Sequence, residues 1–312
     1  MENRILGLHH ITAIADDAQR NYDFYTKILG LRMVKKTVNF DDPQTYHFYF
    51  GDGQGSPGTI LTFFPWPRVR KGVNGAGMAT EIGYSVPTGS LDFWLKRLAA
   101  ANVAHVGVTE KFGEKVLSLE DPDGLRLTLI ETGSSDDRTG WHTDEITSEV
   151  ALKGFHTITL TLNDAKATAA ILTNIFGYKL VQQQGQTYRY QSDAVATAAI
   201  VDINEDPTAG EGINAGGTNH HVAFRVKDET TLMEFRKKIV AAGHLITEKI
   251  NRDYFYSLYF REPGGVLFEI ATDNPGFATD ETVDQLGTSL RLPERYESRR
   301  EQIERALPVL KQ

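Results

Sequence analysis

Four of the nine histidines stand in two adjacent pairs, His9-His10 in "GLHHITAIADD" and His220-His221 in "TNHHVAFRV". Glu269 is a third unusual residue, because it lies in the apolar run "GGVLFEIAT". Burying an unpaired carboxylate is costly, so a glutamate in such a run calls for a cation. One neutral imidazole from each pair and this carboxylate make the facial donor set of a non-haem Fe(II) site. Three protein ligands leave about three octahedral positions open, so that two small molecules can share one ion. A dication with one carboxylate keeps one positive charge, which a single anionic oxygen would neutralise.

Residues this far apart meet only if the fold brings equivalent places together, and the chain repeats itself. "GLHHITAIADDAQRNYDFYTKILGLRMV" lies over "GFHTITLTLNDAKATAAILTNIFGYKLV" without a gap, Gly7 on Gly154 and Gly30 on Gly177, an offset of 147. "KFGEKVLSLEDPDGLRLTLIET" lies over "NRDYFYSLYFREPGGVLFEIAT", Gly124 on Gly265, an offset of 141. Each half divides again. Residues 8–15 alternate as a strand does. Asp16 and Asp17 cap a helix that carries Tyr22, Tyr25 and Leu29 on one face and stops at Gly30. Strand-like segments follow near 31–38, 45–50 and 58–64, and the next unit starts with a strand near 80–86 and a helix near 89–101. The pattern predicts an α+β chain of four βαβββ modules, at 5–66, 78–132, 152–204 and 216–272. The N-terminal half is 1–140 and the C-terminal half 150–275, joined through the polar stretch "ETGSSDDRTG" at 131–140. A charged tail occupies 276–312, with a surface helix expected after Pro293.

The repeat serves as an internal control. His10, Glu81, Thr157 and His221 correspond at the start of the first strands. On the last strands Glu269 corresponds to Thr128, and in the first module to Thr62 or Phe63, depending on a one-residue gap. Modules one and four therefore hold the metal-type donors. Modules two and three hold Glu81, Thr157 and Thr128, a poor set for an ion. His47, His105, His142, His156 and His244 follow no such pattern and read as structural.

Bulk composition excludes several classes. The net charge is -8, which argues against nucleic acid as a partner. There is no cysteine, hence no disulfide and no thiolate metal site. No stretch is long and apolar enough for a signal peptide or a membrane span. The expectation is a cytoplasmic protein without membrane association, and the sequence leaves a homo-oligomer open.

Four βαβββ modules resemble the vicinal-oxygen-chelate superfamily of glyoxalases, bleomycin-resistance proteins and extradiol dioxygenases, over about residues 5–275. The resemblance implies two glyoxalase-like curled mixed sheets, with metal ligands on first and last strands. Its ligand histidine immediately precedes an aliphatic residue, as His10 precedes Ile11 and His221 precedes Val222. It thus implies His10, His221 and Glu269 as ligands of Fe(II), with Mn(II) as the alternative. The pairing of modules one and four, the two "HH" pairs, and Arg252 and Tyr259 ahead of Glu269 resemble the hydroquinone-type ring-cleaving dioxygenases of the bacillus quinone-resistance kind. That likeness implies a small aromatic substrate and O2, opening of a dihydroxylated ring beside a hydroxyl-bearing carbon, and a role in quinone detoxification. Tyr259, Arg252, His220, Thr12 and His9 are then the expected catalytic and positioning residues. Thr12 shares the strand face of His10. His9 and His220 point away in a regular strand, but at strand ends they can reach the cleft or brace a ligand. The alternatives are a glyoxalase-type lyase or isomerase, which would need a fourth protein ligand, and a metal-free resistance-type binding protein.

Overall fold

The computed structural model describes residues 3–133 and 136–312. Of the polar linker at 131–140, Ser134 and Ser135 lie outside the described residues. Module one contributes β1 (Leu8–Ala15), β2 (Arg32–Val38), β3 (Tyr46–Gly51) and β4 (Ile60–Pro65). Module two contributes β5 (Met78–Pro87), β6 (Thr109–Lys111), β7 (Glu114–Glu120) and β8 (Arg126–Thr132). Module three holds β9 (Gly154–Leu162), β10 (Lys179–Gln184), β11 (Thr187–Gln191) and β12 (Ile200–Glu205). Module four holds β13 (Asn219–Val226), β14 (Ile250–Asn251), β15 (Phe255–Arg261) and β16 (Leu267–Pro275). After its first strand each module carries one helix: α1 (Ala18–Asp23), α2 (Leu91–Ala100), α3 (Lys166–Ala170) and α4 (Glu229–Ala241).

Local chemistry explains these elements. The Asp17 carboxylate accepts from the Arg20 amide and caps α1, and Asp228 caps α4 through the Thr231 amide. In modules one and three the helix widens into a π-type turn, Phe24–Ile28 and Ile171–Ile175. Both turns end at the repeated glycines, Gly30 at φ 70° and Gly177 at φ 79°, where a side chain would be strained. Beyond Pro293, the tail helix forms in two short pieces, α5 (Glu294–Glu297) and α6 (Arg300–Ala306).

The sheets do not coincide with the sequence halves. One eight-stranded mixed sheet runs β14-β15-β16-β13-β1-β4-β3-β2 and joins module four to module one. The other runs β10-β11-β12-β9-β5-β8-β7-β6 and joins module three to module two. First strands meet antiparallel at each centre, β1 with β13 and β5 with β9. Consecutive modules are stapled across the sheets instead. The Tyr25 hydroxyl donates to Asp121 of the β7–β8 hairpin at 3.0 Å. At the corresponding place Thr168 of α3 donates to Glu262 of the β15–β16 hairpin at 2.5 Å. Each carboxylate also receives two backbone amides of its own turn.

A large apolar core lies between helices and sheets, and a smaller cluster fills the inside of the first sheet. The tail takes part in that second cluster. Phe277 stacks on Tyr254, with ring centroids 5.2 Å apart, and meets Tyr49 edge-on at 5.1 Å. Fully buried Lys35 anchors the same segment through Asp280 and Glu281, at 2.5 Å each. No helix is long and apolar enough to cross a membrane among the described residues.

Candidate metal centre

The register of the first sheet brings the two histidine strands side by side, with Thr12 opposite His221. Parallel pairing of β13 with β16 puts Glu269 opposite Ala223, two residues beyond His221. The nitrogen and oxygen atoms of His10, His221 and Glu269 consequently converge within 4.8 Å of one another. Nε2 of His10 and Nε2 of His221 are 3.3 Å apart, and Glu269 Oε2 lies 3.2 and 2.9 Å from them. This is the only such donor cluster among the described residues.

These three distances have a meaning. Donors at about 2.1 Å from one ion stand about 3.0 Å apart at octahedral right angles and about 3.4 Å apart at tetrahedral angles. The edges found here, 2.9 to 3.3 Å, lie close to those values and describe one triangular face. Glu269 is fully buried, and its Oε2 accepts no well-directed hydrogen bond although two imidazole nitrogens face it. Its other oxygen, Oε1, receives the hydroxyl of buried Ser257. Burial opposes the carboxylate charge, but His10 and His221 outweigh it and hold the group well below the usual carboxylate range. An oxygen kept ionised, buried and without a donor, facing two imidazoles, fits a divalent cation.

The neighbouring histidines brace the pair. His9 Nδ1 is 2.9 Å from His10 Nδ1, and His220 Nδ1 is 2.7 Å from His221 Nδ1. A regular strand would send neighbours to opposite faces; here the register shifts between Leu8 and His10 and between Thr12 and Ala13, and the backbone turns enough for the rings to meet. Each inner histidine thus has Nδ1 engaged and Nε2 free for the cleft, the arrangement that orients a metal-binding imidazole. Burial first, and then the adjacent His10 or His221, lowers both outer histidines, His220 to about 3, so both are neutral.

Tyr259 pairs directly across from Glu269, and its ring meets His221 edge-on at 5.6 Å. Arg252 lies over the Tyr259 ring and donates from Nε to its hydroxyl at 3.3 Å, while Nη1 is 3.5 Å from Asp41. Burial, then the Glu269 charge, raises the Tyr259 hydroxyl above its ordinary range, so it remains a proton donor. All eight expected residues are therefore gathered around one place, with His9 behind His10. A cavity of about 270 Å³ opens there, walled by Phe40, Phe64, Trp66 and Phe255 and reached by Thr12, Arg252 and Tyr259. A second, polar cavity of about 660 Å³ adjoins it at His220 and His221.

Three residues outside the expected set belong here. Ser257 holds the carboxylate. His47, expected to be structural, lines the aromatic cavity. Thr62, and not Phe63, occupies the place equivalent to Glu269, because β1–β4 pairing sets Thr62 opposite Thr12, two residues beyond His10. The Thr62 hydroxyl is turned into contacts with Thr12 at 2.8 Å and His47 at 2.9 Å.

The module architecture and this donor face place the chain in the Glyoxalase/Bleomycin resistance protein/Dioxygenase superfamily, whose family model matches residues 7–129 and 154–270. Its relatives narrow the class. The chain is 48% identical over 307 residues to MhqE of Bacillus subtilis, named provisionally as a ring-cleaving dioxygenase, covering 97% of this chain and 99% of the relative. It is 35% identical over 313 residues to chlorohydroquinone/hydroquinone 1,2-dioxygenase of Sphingobium indicum, covering 98% and 97%. The crystal structure of a provisionally named dioxygenase from Bacillus subtilis superposes with TM-score 0.95 over 99% of both chains at 44% identity. Glyoxalase I of Zea mays shares the fold alone, with TM-score 0.63 and 13% identity over 87% of this chain and 93% of its own.

Proposed function

We propose that this chain is an Fe(II)-dependent, extradiol-type ring-cleaving dioxygenase acting on hydroquinone-type substrates, with Mn(II) as the alternative ion. The observation that carries this is the three-donor face of His10, His221 and Glu269, whose fourth equivalent place holds a threonine already committed to other partners. A glyoxalase-type lyase supplies four protein ligands. Three leave room for substrate and dioxygen together. The names of the relatives support the same chemistry.

When bound, the ion supplies electron transfer between a phenolate and dioxygen. The chain does the rest. Phe40, Phe64, Trp66 and Phe255 receive one aromatic ring in a cavity of about 270 Å³ and exclude water from it. A hydroquinone has its hydroxyls on opposite sides and reaches the ion through only one, so the walls and polar groups must fix the ring orientation. Tyr259 donates a hydrogen bond or proton to a reacting oxygen, and Arg252 keeps its hydroxyl directed. His220, neutral and lining both cavities, can offer its Nε2 as a hydrogen-bond partner beside the ring. His9 orients His10, and Thr12 faces the open side. The cellular role consistent with this is removal of quinone-forming aromatics in the cytoplasm.

Anaerobic reconstitution with iron, followed by oxygen uptake and ultraviolet detection of the ring-opened product, tests the proposal. Hydroquinones should be cleaved faster than catechols, which chelate and act as inhibitors. Catechol cleavage without hydroquinone turnover would overturn the specificity. No uptake with either, together with turnover of a thiol adduct of methylglyoxal, would overturn the dioxygenase assignment.

A further inference from the structure

The two halves of the first sheet are related by a local pseudo-twofold, and the metal-type donors break it. His10 answers to His221, and Thr62 to Glu269. Tyr49 lies opposite Thr62 as Tyr259 lies opposite Glu269. His47, two residues before Tyr49, therefore answers to Ser257. The carboxylate closes one side of the donor face. Its counterpart side is open, and there the structure holds four buried polar groups in a row.

The Tyr49 hydroxyl contacts His47 Nδ1 at 2.9 Å, His47 Nε2 contacts Thr62 Oγ1 at 2.9 Å, and Thr62 Oγ1 contacts Thr12 Oγ1 at 2.8 Å. All four side chains are buried. Burial, helped by His10 and His221, keeps His47 neutral, so its ring carries one proton for two contacts. Among the described residues, His47 is the one acceptor the Tyr49 hydroxyl reaches, and a buried hydroxyl left without an acceptor is costly. Tyr49 therefore donates to Nδ1. The His47 proton then sits on Nε2 and is donated to Thr62. Thr62, accepting there, spends its own proton on Thr12. Thr12 accepts from Thr62, and its remaining proton is free for the cavity that it lines.

We propose that Tyr49, His47 and Thr62 form a directed hydrogen-bond line that fixes Thr12 as a donor to an anionic substrate oxygen at the open side of the donor face. Resting on the function proposed above, this makes Tyr49 and His47 positioning residues that favour a ligand bound as a phenolate. Thr12 touches the ligand; the other three act through it. The line assigns a task to His47, which no chemistry of the His-His-Glu face requires.

The test is a double-mutant cycle read by binding. Iron-loaded protein, kept anaerobic, is titrated with 4-nitrophenol, whose visible absorption reports the phenolate and which needs no turnover. Thr12→Val, Thr62→Val and Tyr49→Phe should each weaken phenolate binding by about 10- to 100-fold at unchanged iron content, the range for one hydrogen bond to a charged partner. Thr62→Ser should restore it. In the Thr12→Val background, Tyr49→Phe should have no further effect, because the line then has no terminal donor to direct. Additive losses would overturn the proposal and return Tyr49 and His47 to packing, as would unchanged binding in Thr12→Val. Non-additive coupling in a protein that consumes no oxygen with any hydroquinone would uphold the line and overturn the ring-cleaving assignment. Oxygen uptake with additive losses would overturn the line alone.

Discussion

Removing the Ser257 hydroxyl should weaken metal binding without touching any of the three metal-facing side chains. Ser257 and Glu269 are both fully buried, and the serine is the one donor to Oε1 among the described residues, while Oε2 faces the imidazoles. In Ser257→Ala the carboxylate keeps its position in the strand but loses the bond that fixes its plane. It must then rotate Oε1 toward the imidazoles or hold a buried charge with one bare oxygen. A hydrogen bond to a charged group contributes about 1.5–3 kcal/mol. An independent scale, the loss of a residue that orients a metal ligand, gives about 10- to 100-fold in metal affinity, or roughly 1.4–2.7 kcal/mol. The two agree, so the metal dissociation constant should rise by about 10- to 100-fold. Metal-buffer competition measures this, with His10→Ala as the reference for outright loss of a ligand and Thr62→Val as the control on the other side of the pseudo-twofold. A Ser257→Ala protein that is folded by circular dichroism and binds the ion within twofold of the parent would refute the claim that the serine orients the carboxylate.

Two further outcomes are expected. Tyr259→Phe should lower oxygen uptake by about 10- to 100-fold while iron content stays normal, since Tyr259 stands across the ladder from Glu269 and is not one of the three metal-type donors; unchanged uptake would leave Tyr259 a packing residue. Asp121, buried at the staple between modules one and two, is pushed up to about 6 from 3.8, chiefly by burial. The folded protein then binds this proton more tightly than the unfolded chain. Stability from it is fully present below about pH 3.8 and is lost as pH rises through about 6, to the extent of ~3 kcal/mol. Urea unfolding of the parent and Asp121→Asn should show the parent losing ground to the variant between pH 4 and 7; a difference that does not change with pH would refute it.

The donor face was legible in the sequence because duplication supplies its own control. A histidine pair that recurs in modules one and four, but gives way to Glu81 and Thr157 in modules two and three, stands out without any structure. The four-module α+β fold was equally legible, since each unit repeats its strand alternation, its helix and its glycine stop. What stayed hidden depends on register across strands. Ser257 sits inside "YFYSLYF" and reads as ordinary strand; only the β15–β16 pairing shows that it reaches Glu269. Thr62 and Phe63 could not be separated by a one-residue gap, and the parallel β1–β4 register separates them. His47 is flanked by Tyr46, Phe48 and Tyr49 and shares their strand composition, so its contact with Thr62 emerges only once β3 lies beside β4. The outer histidines depart from strict alternation because of a local register shift, which no periodicity records.

The second sheet shows what the same scaffold does without an ion. Pairing of β9 with β12 puts Asp202 opposite Thr159, two residues beyond Thr157, and so at the place that Glu269 holds in the first sheet. The sequence control omitted this carboxylate. Asp202 is also fully buried, yet both its oxygens are bound by Arg189, at 2.9 and 3.0 Å, from the position across the ladder that Tyr259 takes opposite Glu269. Lys111 adds an ammonium 3.1 Å from Glu81 and 3.8 Å from Asp202. A buried carboxylate at this modular position must be neutralised, because an uncompensated charge there costs more than the fold can spare. In the second sheet the chain supplies the cations itself, and they would repel a metal. In the first sheet the nearest groups to Glu269 Oε2 are two imidazoles, and no Lys or Arg lies within ion-pair distance of it among the described residues, a setting that suits an added cation. On the metal reading proposed above, a bound ion would stabilise the folded first sheet, whereas the buried carboxylate of the second sheet is already compensated by Arg189 and Lys111.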